Sequence, residues 1–280
     1  NIPIVVLKVG RTDLAAELAI SHSGALAGSD QCYSALFDQY GVQRVADMDQ
    51  LATTLIMFAQ PKTVSEGGLV CLHDSGGERQ LLIDLADSAG VPLAQLSDST
   101  VTRLEGLLDP GLPAVNPLDA WGAGGPHAPA KMAAAFTGIL NDQSAALGAV
   151  VHDRGPSSEV YSSYMAYLHQ AQSATEKPVF LVANRQGSGS DELAITSTHQ
   201  GFPVIDGVSQ FLVGARCLMN YRDFQQREPM QVIGVDQNKC DYWRERLRGE
   251  TKVSETLASQ CLADLGLPML QSLLVGSQDE

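Results

Sequence analysis

The sequence predicts an α/β protein made of doubly wound parallel sheets, and three observations predict it. Short runs rich in Val, Ile and Leu alternate with helix-length amphipathic segments along most of the chain. Those runs are apolar at nearly every position, as strands covered on both faces must be. A composition of 44% hydrophobic and 18% charged residues over 280 positions can bury real cores, so disorder is not the default.

Taken in order, residues 2–8 (IPIVVLK) read as a buried strand, and a polar, glycine-rich loop follows to Gly28. Ser29 or Asp30 caps a helix through Tyr40, and Gly41 stops it by accepting the left-handed conformation cheaply. A short strand at 42–46 precedes a helix at 51–59, begun by Asp47 or Asp49 and ended by Pro61. A second series has strands at 68–73, 146–152, 178–183 and 202–205. Its helices fall at 77–89, 97–108, 129–140, 160–173, 191–199 and 208–221. Residues 222–249 are charge-dense and read as a linker; a helix at 254–265 and a short strand near 270–275 close the chain. A lone strand with two helices at the start, and one helix with one strand at the end, are each part of a larger fold. The opening on Asn1 without Met points the same way, so the chain is expected to be a piece of a longer one.

Charge and composition exclude several function classes. With 18 basic against 32 acidic residues the net charge is −14, which disfavours a nucleic-acid binder working by broad electrostatics. No apolar run reaches the roughly 18 residues that cross a bilayer, and no targeting segment is visible. Five widely spaced cysteines without a Cys-x-x-Cys pair argue against a disulfide framework or a thiolate zinc site, and for a reducing cytoplasm. Walker-type, G-x-G-x-x-G, H-E-x-x-H and G-x-S-x-G motifs are absent, and no two of the six histidines have metal spacing.

Two loops could carry chemistry. Ser21-His22-Ser23-Gly24-Ala25-Leu26-Ala27-Gly28 sets one histidine among small residues and hydroxyls, where it is a nucleophile, a general base, or a surface histidine with no role. His73-Asp74-Ser75-Gly76-Gly77 leads from a strand into a helix, where free N–H groups and the positive dipole end suit an anion; an ordinary capped turn fits the same residues. Asn116-Pro117-Leu118-Asp119, before a glycine-rich stretch, reads as a structured turn lining a cleft or as a plain loop. Lys8-Val9-Gly10-Arg11 supplies cations that steer phosphate or form a solvated strand end. His127, His152, His169 and His199 lie at helix or strand edges and read as solvated or core imidazoles.

In combination these stretches resemble a known family. IVVLKVGRTDLAAELAISHSGALAG at 4–28 is similar to the nucleoside-diphosphate-forming acyl-CoA synthetases, which include ADP-forming acetate–CoA ligases and are related to succinyl-CoA synthetase. The resemblance implies flavodoxin-like domains and makes His22 the phosphorylated nucleophile, with Gly24 in its loop. It implies that Gly24, together with Ser75, Gly76 and Gly77 at the start of the helix that holds Asp84, binds the phosphate. Lys8, Arg11, Asn116 and Asp119 become positioning residues. Phe202-Pro203-Val204 resembles the closing βα unit of the second such domain, and Ser254-Glu255 through Gly266-Leu267-Pro268 the opening of an ATP-grasp domain.

The implied organisation is half a flavodoxin-like domain at 1–61, a complete one at 62–222, a linker at 223–252 and the start of the ATP-grasp domain at 253–280. The implied activity turns an acid, CoA and ATP into acyl-CoA, ADP and phosphate. CoA, the nucleotide and Mg2+ would be held mostly by a CoA-binding Rossmann domain and an ATP-grasp body outside this stretch, in cis or as subunits. The fragment alone is expected to be inactive. Neither nucleic acid nor membrane is expected as a partner, and a homo-oligomer is compatible. His73-Asp74 departs from the family's usual neutral residues, and an extra carboxylate weakens phosphate binding unless it points away or is neutralised. Two other readings stay open: an acyl-CoA-sensing module fused to an acyltransferase, and a flavodoxin-like flavin binder.

Overall fold

β1 (Val5–Leu7) leaves through α1 (Asp13–Ser23) and α2 (Asp30–Gln39) and returns as β2 (Gln43–Val45), its parallel partner with Val6 opposite Arg44. The computed structural model describes residues 2–23, 29–60, 62–153, 161–185, 187, 192–228, 234, 236–250 and 252–269. α1 falls where a loop is expected. Its Leu-Ala-Ala-Glu-Leu-Ala core is made of strong helix formers, and the Thr12 hydroxyl starts it by accepting from the Ala15 N–H at 3.3 Å. His22 therefore belongs to the last turn of a helix. α2 runs to a left-handed Gly41 (φ 65°) as expected, and α3 (Met48–Phe58) is capped by the Asp47 carboxylate on the Gln50 N–H at 2.7 Å.

The second sheet follows. β3 (Gly68–His73), α4 (Gly76–Ala89) and α5 (Asp98–Glu105) lead to a two-residue strand, β4 (Leu118–Asp119). Then come α6 (Ala128–Leu140), β5 (Ala145–His152), α7 (Tyr161–Ala174), β6 (Val179–Ala183), α8 (Glu192–His199), β7 (Val204–Asp206) and α9 (Val208–Gln226). The five parallel strands are ordered β4-β3-β5-β6-β7, a doubly wound sheet. Every residue of β3, β5 and β6 is buried, which is why those runs carry no polar alternation. The chain leaves β3 for β4 on one side and later returns to β5 on the other. That reversal opens a crevice above the carboxyl ends of β3 and β5, where such sheets bind ligands.

One face of the sheet packs Leu104, Met132, Phe136, Tyr164, Tyr167 and Leu168 of α5, α6 and α7. The other packs Leu82 and Ala86 of α4, Met57 of α3, and Phe211, Leu212 and Ala215 of α9. α3 follows the first sheet and α9 follows the second, so their contact joins the two. It is close: a Cβ on Gly214 of α9 would lie 2.3 Å from the Met57 sulfur. Of the cysteines, Cys71 and Cys217 are buried fillers; burial pushes both thiols up, Cys217 to about 11.

Residues 1–226 form one compact unit and 227–280 another. In the second unit α10 (Gln237–Arg246) occupies part of the expected linker; the Asp236 carboxylate accepts from the Asn238 N–H at 2.9 Å. Trp243 is buried there, its indole N–H donating to Asp264 of α11 (Glu255–Asp264) at 3.0 Å. Ser254 caps α11 by accepting from the Leu257 N–H. The strand expected at 270–275 lies outside the described residues.

Candidate functional site

β3 delivers its last residue, His73, to the crevice, and the chain turns through Asp74 and Ser75 into α4. Ser75 is extended (φ −148°, ψ 128°), and its hydroxyl makes no hydrogen bond to the helix end. The first-turn N–H groups of α4 therefore keep their positive end without a side-chain cap. Gly77 is exposed, and a Cβ on Gly76 would come within 3.4 Å of Asp119 Oδ2. Asp119 arrives on β4, paired with His73, and accepts from the Trp121 N–H at 3.3 Å. Asn116 braces this edge: its amide donates to Leu69 O (2.8 Å) and Ala94 O (3.0 Å) and accepts from the Cys71 N–H (3.0 Å). The peptide bond between Asn116 and Pro117 is cis.

A polar cluster sits beside the α4 end, and strand alternation explains its membership. Leu69 and Cys71 of β3, Leu147, Ala149 and Val151 of β5, and Phe180 and Val182 of β6 all face the α4–α9 side. The next residues on that side are His73, Asp153 and Asn184, and Glu78 in the first turn of α4 meets them. His73 is fully buried, both ring nitrogens lack a hydrogen-bond partner among the described residues, and Nδ1 is 3.9 Å from Glu78 Oε2. Burial drives the imidazole pKa down to about 4, with Asp74 opposing and Arg79 assisting, so His73 is neutral. Burial also drives Glu78 up to about 8; Asp153 and Asp74 add to the rise, a hydrogen bond with Asp153 adds more, and one with Asn184 opposes. On the opposite side of the sheet the Tyr164 hydroxyl donates to Asp74 at 2.7 Å, while its ring stacks on buried His152 at 4.8 Å. The carboxylate that departs from the family's neutral pattern is thus tied to a phenol on α7.

The other predicted residues are placed as follows. Ser75, Gly76, Gly77 and Asp119 come together at the α4 end, with Asn116 acting through the strand it braces; Asp84 lies further along α4 and is exposed. Lys8 and Arg11 precede α1 whereas His22 lies in its last turn, so a helix of 11 residues, about 16 Å long, separates them. The His22 side chain and Gly24 lie outside the described residues. Sequence reasoning missed Glu78, Asp153 and Asn184. The available signal was position: Asp153 and Asn184 each directly follow an apolar strand, at the sheet edge where ligands bind. Among the described residues no group of three His, Cys, Asp or Glu side chains could hold a metal ion, and no helix is long and apolar enough to cross a membrane.

The fold is an α/β one with doubly wound, flavodoxin-like parallel sheets, and residues 1–58 match the succinyl-CoA ligase like flavodoxin domain family. Its relatives are ADP-forming acyl-CoA ligases. The acetate–CoA ligase [ADP-forming] of Methanocaldococcus jannaschii is 32% identical over 125 residues, 45% of this chain and 18% of that protein. The 4-hydroxybutyrate–CoA ligase [ADP-forming] of Nitrosopumilus maritimus is 34% identical over 120 residues, 43% of this chain and 17% of that protein. Among solved structures, the dinucleotide-forming acetyl-coenzyme A synthetase 1 of Ca. Korarchaeum cryptofilum, in complex with phosphate and ADP, shares the fold. It aligns with TM-score 0.66 at 19% identity, covering 80% of this chain and 48% of that one. The chain thus spans under a fifth of the length of these two curated relatives and about half of the solved one.

Proposed function

We propose that this chain is part of an acyl-CoA ligase that converts an acid, CoA and ATP into acyl-CoA, ADP and phosphate by way of a phosphohistidine at His22. One observation carries the reading: Ser-His-Ser-Gly-Ala-Leu-Ala-Gly stands intact at 21–28, inside the segment that matches the succinyl-CoA ligase like flavodoxin domain. The imidazole attacks the terminal phosphorus of ATP, and the bond to ADP breaks. The phosphoryl group then passes to the carboxylate of the acid, giving an acyl phosphate, and CoA thiolate displaces phosphate. Imidazole suits this relay because it is nucleophilic and largely neutral near its ordinary pKa of about 6.5.

The α4 end supports the reading as the place that receives the phosphoryl group. Uncapped N–H groups at Gly76 and Gly77 and the Ser75 hydroxyl are neutral donors, which hold a dianion without trapping it as a fixed cation would. Glu78, protonated at neutral pH, adds less negative charge there than a carboxylate would, and the Asp74 carboxylate accepts from the Tyr164 hydroxyl. CoA and the nucleotide with Mg2+ would be held mainly by other parts of the enzyme, in cis or as subunits. A relative from Pyrococcus furiosus is itself named as a subunit, acetate–CoA ligase [ADP-forming] II subunit alpha, which fits an enzyme divided between chains. The test is to label the longer protein with γ-phosphate-labelled ATP. An acid-labile, base-stable label is expected, and it disappears in His22→Asn; a label that survives the substitution refutes the assignment.

A further inference from the structure

A second crevice lies over the carboxyl ends of β1 and β2, away from the Gly76 end of α4. It is a cleft of about 620 Å³ whose charged lining, among the described residues, is Lys8, Arg11, Arg44 and Arg216 against a single carboxylate, Asp30. In a chain of net charge −14, four cations converging on one cleft need a reason.

Three of the cations, Lys8, Arg44 and Arg216, are held in place rather than waving in solvent. Arg44 lies across Asp30 with both terminal nitrogens, at 3.0 and 2.6 Å, and one of them also reaches the Ser34 hydroxyl at 3.1 Å. That pair pushes the Asp30 pKa down and the Arg44 pKa up, and Lys8 and Arg11 add to the effect on Asp30. Lys8 donates to Val9 O at 3.0 Å, stands 3.9 Å from Asp30 and lies 4.4 Å above the Tyr33 ring. Arg216 reaches in from α9, fixed by a hydrogen bond to Ala89 O at 2.9 Å. Gly10, at φ 75°, turns the chain from β1 so that Arg11 and the start of α1 border the same space. Cations held from three separate segments, Lys8 after β1, Arg44 on β2 and Arg216 on α9, lose little freedom when an anion arrives, and arginine is suited to phosphate.

We propose that this cleft binds the phosphate chain of a pyrophosphate-bearing ligand. Its volume is in the range of small-molecule pockets and far exceeds the room one phosphate needs. Asp30 cancels only part of the charge, leaving an excess that matches two linked phosphates better than a single monoanion. The site is separable from the His22 reading, since it rests on Lys8, Arg11, Arg44 and Arg216, none of which carries the phosphoryl group in that relay. Inorganic pyrophosphate and a nucleoside diphosphate present the same chemistry, so both serve as probes.

The experiment is calorimetric titration of the whole chain, without divalent metal, with inorganic pyrophosphate, ADP, AMP and sulfate. Saturable pyrophosphate binding that weakens with added salt is expected. ADP should bind better than AMP, and sulfate least. Arg11→Gln, on an exposed turn, should weaken pyrophosphate about tenfold, the effect of one charge-assisted hydrogen bond. Asp30→Asn should tighten it, because a competing charge leaves while an acceptor for Arg44 stays. No binding, equal affinity of AMP and ADP, sulfate binding as tightly as pyrophosphate, or indifference to both substitutions each overturns the proposal. None of these outcomes bears on the acid-labile label at His22, which is read separately.

Discussion

Glu78→Gln should change the shape of the protein's stability against pH, in a way that follows from the cluster at the end of β3. The Glu78 side chain is 12% exposed, and its pKa rises from an ordinary 4.5 to about 8. The folded state then holds a proton that the unfolded state releases, so stability falls as pH climbs from 4.5 towards 8. At about 1.4 kcal/mol per pH unit the whole span is worth about 5 kcal/mol. His73 works in the opposite sense. Its pKa falls from 6.5 to about 4, so the unfolded state binds the extra proton and stability rises with pH across that window, by about 3 kcal/mol. Between pH 4.5 and 6.5 the two slopes cancel; between 6.5 and 8 only Glu78 acts, and the wild type should lose about 2 kcal/mol.

Glutamine keeps the shape and a donor for Asp153 but cannot ionise. It also leaves His73 facing a neutral neighbour, as protonated Glu78 does. The variant should gain stability up to pH 6.5 and then hold level. Urea unfolding followed by near-ultraviolet circular dichroism, at matched ionic strength and at pH 4.5, 6.5 and 8, reads both curves. A wild type that stays level from 6.5 to 8, or a variant that falls in parallel with it, refutes the reasoning.

Two further predictions concern the frame around the site. Asp142 is buried, and both carboxylate oxygens are occupied: one accepts from the Ser97 N–H and hydroxyl, the other from those of Ser144. Burial raises its pKa, but the hydrogen bonds from Thr100, Ser97 and Ser144 outweigh burial and hold it below the usual range. That contribution is present above the unfolded value of about 3.9 and is lost as pH falls through the depressed folded value. Asp142→Asn should cost about 2–3 kcal/mol at pH 7 and flatten the acid limb of a denaturation series. Gly214→Val drives a side chain into the Met57 sulfur and should cost at least about 2 kcal/mol, with hydrogen exchange rising first along α3 and α9.

The parts of the fold legible in the sequence were those whose environment is uniform. GLVCLH, AALGAVVH and VFLVA are buried on both faces, so composition alone identifies them as central strands. α1 was not legible because its alanines and serines suit a small-residue loop as well as a helix; Thr12 and the run of helix formers decide it. β4 has only two residues and becomes a strand by pairing with the end of β3, a contact no local pattern announces. The site divides the same way. Ser75-Gly76-Gly77 announces itself as a strand-to-helix turn, whereas Glu78, Asp153 and Asn184 meet only when three strands and a helix converge. Lys8 and Arg11 were visible as cations, but their partners Arg44 and Arg216 come from β2 and α9.

The bond from Arg216 to Ala89 O has a consequence at the far end of the helix it touches. Ala89 is the last residue of α4, and its carbonyl belongs to the negative pole of that helix, which carries about half an elementary charge. A guanidinium on that pole acts like an earth connection on one terminal of a battery, leaving the positive terminal at Gly76 and Gly77 less opposed. Fourteen residues at about 1.5 Å each put the two poles roughly 20 Å apart. The cationic cleft and the uncapped helix end therefore stand at opposite poles of one element, one pole already met by a guanidinium and the other left open at Gly76 and Gly77.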